Sequence, residues 1–168
     1  MLIRLSGALL LTAAFSAAGM LQSDRLRRRA DVCRSISDML RKCEFLVSYQ
    51  AMNVYEICAV LKESAFVREL TFTASLPVVF EPQKSFSVQW DSALEKQSDM
   101  LPEEKELIHR LGQTLGSSDI PGQTGAIEAL LAENDELYRR RQEEYLRRGR
   151  LCRSVGVLAG LMAGIMFI

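Results

Sequence analysis

The chain has 168 residues, enough for one domain. Its 21 lysines and arginines equal its 21 aspartates and glutamates, and the pI is near 6.6. That balance excludes a globally basic nucleic-acid binder, so no nucleic acid is expected as a partner. With 4 cysteines, none in a Cys-x-x-Cys pair, and 1 histidine, the chain also excludes a zinc-ligand pattern. The cysteine spacing does not resemble a secreted disulfide framework, and Cys33, Cys43, Cys58 and Cys152 are expected as reduced thiols on helices.

The charges lie in the middle of the chain. Residues 1–23 carry only Arg4, and residues 154–168 carry none. The first apolar run, "LSGALLLTAAFSAAGMLQS" (Leu5–Ser23), reaches roughly 28 Å as a helix, close to the hydrocarbon thickness of a bilayer. Two fates are open to it. Arg4 followed by a small-residue step at Ser16–Ala18 suits a cleaved signal peptide, which would make the chain a secreted helical protein. Arg25, Arg27, Arg28 and Arg29 just after the run oppose translocation of the middle region, which favours a retained anchor over 1–23.

Residues 24–153 read as helix nearly throughout. Val32, Ile36, Met39, Cys43 and Leu46 recur at three- and four-residue steps, and Val54, Ile57, Cys58 and Leu61 repeat the pattern. "SAFVRELTFTASL" (Ser64–Leu76) is mixed, and its context predicts helix. "PVVFEPQKS", with Pro77 and Pro82, predicts a loop. Helix resumes at Phe86, Trp90 and Leu94, which places the only tryptophan on a core stripe. Pro102 and the acids after it start another helix, with Leu107, Ile108, Leu111 and Leu115 on its apolar face. His109 stands among charges and is read as solvated.

"LGQTLGSSDIPGQ" is the most particular stretch. Gly116 suits a left-handed helix end, Ser118 or Asp119 a cap for the next helix, and Gly112 a close approach by another helix. It is no phosphate loop, because no lysine comes after its glycines and no strand precedes it. From about Gln123 a helix without proline runs on, its buried side marked by Ile127, Leu130, Leu131, Leu137 and Tyr138. Arginines then take over, and Gly149 is the one weak point before the second apolar run.

That run, Ser154–Ile168, reaches roughly 22 Å as a helix, short for a span unless Arg153 snorkels to the interface. Arg147, Arg148, Arg150 and Arg153 flank it on the side of the middle region. Both flanks of the middle are therefore basic, which predicts an N-terminus and a C-terminus outside and the middle in the cytosol, beside an anionic bilayer. Gly156, Ala159, Gly160, Ala163 and Gly164 fall on one helical face of small side chains, a packing face for another helix in lipid. Ala14 and Ala18 of the first run, with Ser6, Gly7 and Ala8 at its start, offer one partner, and another membrane protein offers a second. No catalytic set, cofactor site or metal cluster emerges, so no enzyme is expected.

Three pieces of the chain, in order, resemble the stage III sporulation protein AB family of endospore-forming bacteria. "VQWDSALEK" resembles the family's tryptophan helix, and "ELIHRLGQTLGSSDIPGQTGAI" resembles its two-glycine turn, here Gly112, Gly116, Asp119 and Gln123. "RSVGVLAGLMAGIMFI" resembles its closing anchor. The chain departs from the pattern at "QAMNVYE" after Tyr49, where members carry a proline, and at Pro121-Gly122. The resemblance implies an all-α fold. A helical bundle over 24–153, similar to the cytoplasmic domain of type II secretion platform proteins, would lie between transmembrane helices over 1–23 and 154–168. It also implies a place in the outer forespore membrane, facing the mother-cell cytosol. The role implied is a non-enzymatic platform of the channel complex between mother cell and forespore. The implied partners are the lipid bilayer, other sporulation channel membrane proteins and the stage III sporulation protein AA ATPase. A membrane-anchored helical regulator that relays a signal by helix movement is the alternative from another class.

Overall fold

A computed structural model describes the backbone of residues 2–117 and 119–167, and the side chains of 7, 10, 12–117, 119–152, 154–163 and 165. The described residues are all-helical and contain no strand. In chain order the helices are α1 (Leu2–Gln50), α2 (Val54–Lys62), α3 (Phe86–Leu94), α4 (Pro102–Thr114), α5 (Ile120–Glu144) and α6 (Arg150–Phe167). Two 3₁₀ turns, Ala65–Arg68 and Thr71–Ser75, come after α2, and a π-helix, Tyr145–Gly149, joins α5 to α6. The chain forms two compact units. One is residues 31–138, and the other is residues 1–30 together with 139–168.

The 31–138 unit is built on the stripes read from the sequence. Ile36, Met39, Leu40 and Cys43 of α1 meet Ile57 and Leu61 of α2, Leu107, Ile108 and Leu111 of α4, and Ile127 of α5 in one buried cluster. Burial of such side chains stabilises by about 1.5–3 kcal/mol each, so this cluster is the main source of the unit's cohesion. α1 ends where Ala51 takes a left-handed φ of 47°, and the Met52 N–H reaches back to Leu46 O at 3.3 Å. The chain then turns at Asn53, whose side chain accepts the N–H groups of Tyr55 and Glu56, while Glu56 accepts the Asn53 N–H at 2.9 Å. This reciprocal cap contributes about 1 kcal/mol.

Ser64–Leu76 is not the continuous helix expected. It forms the two 3₁₀ turns because its polar groups find partners that an α-helix would not supply. Thr73 Oγ1 donates to Leu70 O at 2.7 Å. Gln97 is buried and accepts the Phe72 N–H at 2.9 Å and the Thr71 hydroxyl at 3.1 Å, while its amide donates to Glu69 O at 2.9 Å. One side chain thus fixes three residues of the segment, and β-branched threonines weaken the helical alternative.

Among the described residues no helix is long and apolar enough to cross a membrane. α1 shows no break at residue 23 and runs on to Gln50.

Candidate functional site: two glycine contacts

In the unit of residues 1–30 and 139–168, α1 and α6 lie antiparallel. Thr12 Oγ1 donates to Gly160 O at 3.1 Å. A Cβ at Gly160 would stand 3.0 Å from Thr12 O, one at Gly156 would stand 2.9 Å from Phe15 O, and one at Gly149 would stand 3.1 Å from Ser23 Oγ. As positions rise on α1 they fall on the partner, which is the antiparallel sense. A Cβ at Gly19 would stand 2.6 Å from Cys152 O and 3.3 Å from Gly156 Cα. The two backbones therefore touch, and only glycine permits it at Gly19 and Gly156.

Gly156 and Gly160 thus face α1, with Ala159 and Ala163 half-buried beside them. The surroundings of Gly164 and the side chain of Arg153 lie outside the described residues, as does Ser118. The face of α1 that receives the glycines differs from the one expected. Ala14 and Ala18 are exposed, and Thr12, Phe15 and Gly19 make the contact instead. Several bulky residues of both helices are turned outward. Leu10, Phe15, Met20 and Leu21 of α1 are exposed, as are Val155, Leu158, Leu161, Met162 (73%) and Ile165 (74%) of α6. Arg25, Arg27, Arg28 and Arg29 are exposed on α1, and Arg147, Arg148 and Arg150 on the other strand of the hairpin. Arg148 reaches Glu144 at 2.9 Å, an exposed pair one helical turn apart.

The π-helix sits opposite Ser23, a buried hydroxyl. The wide π turn spends one more residue than an α turn, which shifts the face of α6 relative to residues 139–144 just before it. Gly149, the weak point of the sequence pattern, is the last residue of this turn and is buried.

The second contact is in the 31–138 unit. Trp90 of α3 is fully buried and donates its indole N–H to Ile108 O of α4 at 2.9 Å. Its ring fills the notch at Gly112, where any Cβ would overlap the indole. Phe72 meets the same ring edge-on at 5.8 Å. Beside it, His109 Nδ1 and Asp91 Oδ1 are 2.7 Å apart, so the histidine read as solvated is half-exposed and paired. The turn motif comes directly after. Gly116 adopts a φ of 75°, its N–H donates to Gln123 Oε1 at 3.1 Å, and Val54 closes on it. Asp119 accepts the Gly122 N–H at 3.3 Å on its side chain and the Gln123 N–H at 3.0 Å on its backbone, which starts α5. Gly112, Gly116, Asp119 and Gln123 therefore shape the α4–α5 corner.

Besides Gln97, the buried polar residues Glu104 and Asn134 are not marked by the sequence pattern. Glu104 of α4 accepts the Leu101 N–H at 2.9 Å and the Cys33 S–H at 3.7 Å. As the third residue of α4 it makes the glutamate half of a capping box, and the sequence does not announce it because Leu101 supplies no side-chain acceptor for the other half. Asn134 interrupts the apolar stripe of α5. Burial pushes the Cys58 thiol up to about 12 against an opposing pull from Lys62, and pushes Cys43 up further, with Cys58 close by. Neither thiol is a nucleophile near neutral pH, since the thiolate is the reactive form. Among the described residues no group of His, Cys, Asp or Glu is placed to hold a metal ion.

No curated protein and no solved structure matches the chain. A family model does match, that of stage III sporulation protein AB, over residues 4–168. Nearly the whole chain is covered, from the first apolar run through the tryptophan notch and the two-glycine corner to the glycine-faced last helix, and the protein belongs to the stage III sporulation protein AB family.

Proposed function

We propose that the protein is a non-enzymatic membrane platform of the sporulation channel complex between mother cell and forespore. The observation that carries this reading is the helical hairpin of α1 and α6. Its inside is glycine against backbone, and its outside is exposed leucine, valine, isoleucine, methionine and phenylalanine. A pair of helices that meets at glycines, backbone to backbone, and displays large apolar side chains suits lipid as the surrounding solvent. No helix is long and apolar enough to cross a membrane among the described residues, so the reading rests on the hairpin and on the uncharged runs Leu5–Ser23 and Ser154–Ile168 of the sequence. The exposed arginines at 25–29 and 147–150 suit the anionic headgroups at the cytosolic face.

On this reading the anchors lie in the outer forespore membrane, both termini lie outside the cytosol, and the 31–138 unit faces the mother-cell cytosol. There it supports other channel proteins and the stage III sporulation protein AA ATPase, much as type II secretion platform proteins work beside an ATPase. A platform works by holding partners, and a helical unit cohering through an apolar cluster suits that task without catalysis. Photocrosslinkers placed on the exposed surface of residues 31–138 in sporulating cells are expected to capture other channel components. Adducts with lipid or with the protein itself alone would count against the proposal.

A further inference from the structure

Between α1 and α5, inside the 31–138 unit, lies a polar seam that the platform reading does not use. Asn134 is fully buried on the stripe of Ile127, Leu130 and Leu137. Its Nδ2 donates to Cys33 O and to Ser37 Oγ, each at 2.8 Å. The Ser37 hydroxyl donates to Asp135 Oδ1 at 3.1 Å, and Arg41 stands 3.9 Å from the same carboxylate. Asn134 Oδ1 has no hydrogen-bond partner among the described residues.

A leucine at this position would continue the apolar stripe and remove the unpaired acceptor. Asparagine is therefore the less stabilising choice there. What it adds is position. Its two donor bonds are satisfied only where Cys33 and Ser37 stand opposite, and the stripe of α5 offers no second amide a turn above or below. A slip of α5 along α1 by one turn would take the amide off the Ser37 hydroxyl and leave it only a backbone carbonyl, whereas leucines and isoleucines tolerate such a slip. A single buried asparagine in an apolar helix seam fixes register in this way.

We infer that Asn134 is a register lock that fixes the axial position of α5 against α1. The lock is independent of the membrane reading, because every group in it belongs to the 31–138 unit. Ser48 and Thr124, whose hydroxyls are 3.0 Å apart on the same two helices, give the place to read it.

The test uses the full-length chain in detergent, with cysteines at Ser48 and Thr124 and the bridged peptides identified by mass spectrometry. In the parent the 48–124 bridge forms under mild oxidation. With Asn134→Leu the melting temperature is expected to stay level or rise. The 48–124 yield falls at least threefold, and cysteines at Ser48 and Ile120, one turn away, begin to bridge. Full retention of the 48–124 yield in Asn134→Leu overturns the inference, whatever happens to the melting temperature. Should Asn134→Leu fail to fold, Ser37→Ala removes one partner of the amide at little cost in shape. It is expected to lower the same yield, and an unchanged yield overturns the inference equally.

Discussion

Replacing Gly112 with valine is expected to destabilise the 31–138 unit by about 3 kcal/mol, the upper end of what overpacking a core costs. A side chain there meets the indole of Trp90, which is rigid, fully buried and pinned by its bond to Ile108 O. The ring cannot swing aside, because Phe72 and Phe86 both lie 5.8 Å from it, centroid to centroid. α3 must then move off α4, and the His109–Asp91 pair at 2.7 Å separates with it. Since Trp90 is the only tryptophan, its emission reports this site alone. The expected result is a red-shifted emission and a melting temperature lower by on the order of 10 °C. Unchanged emission and melting would show that the notch has room the geometry denies it.

Gly156→Leu is expected to open the α1–α6 hairpin. Its Cβ would press on Phe15 O at 2.9 Å and on Gly19 Cα at 3.1 Å, both backbone atoms, so no side-chain rotation relieves the contact. Gly160→Leu acts the same way against Thr12 O at 3.0 Å and strains the Thr12 hydroxyl bond to Gly160 O. Interhelical bonds and close packing of this kind contribute about 1–2 kcal/mol in a bilayer, so each variant is expected to lower pairing by roughly tenfold. Cysteines at Ser16 and Ala159, half-buried positions on the two helices, report the pairing through their crosslinking yield in membranes. Gly7→Leu is the matched control, because nothing lies within 4 Å of a Cβ at that position. A yield that drops equally in Gly7→Leu would mean that leucine disturbs the helix generally rather than the seam.

Much of the fold was legible because helices announce themselves locally. The stripes at Ile36–Leu46, Ile57–Leu61 and Leu107–Leu111 are buried as the spacing demands, and Gly116 takes the left-handed φ its place after an apolar face requires. What the sequence withheld depends on contacts between distant residues. Gly112 reads as a place of close approach, but that its visitor is Trp90 depends on how α3 crosses α4. The glycine face of α6 reads as a packing face, yet the residues it meets, Thr12, Phe15 and Gly19, are set by the rotation of α1 about its axis. Ala14 and Ala18, equally small and equally spaced, ended on the outside. Ser64–Leu76 turned on Gln97, more than twenty residues away in the chain, whose three bonds no local pattern encodes. Asn134 reads as a gap in an apolar stripe, and its bonds to Cys33 and Ser37 depend on where α5 meets α1.

The glycine seam and the membrane reading depend on each other. In water, an antiparallel pair with leucine, methionine and isoleucine turned outward exposes a large apolar surface. In lipid the same surface needs no cover, and packing along the seam is what remains to hold the helices together. Mapping topology in living cells with reporters near residue 90 and at residue 168 tests this most directly. The membrane reading predicts residue 90 in the cytosol and residue 168 across the membrane from it. Finding both on the same side of the membrane would contradict it.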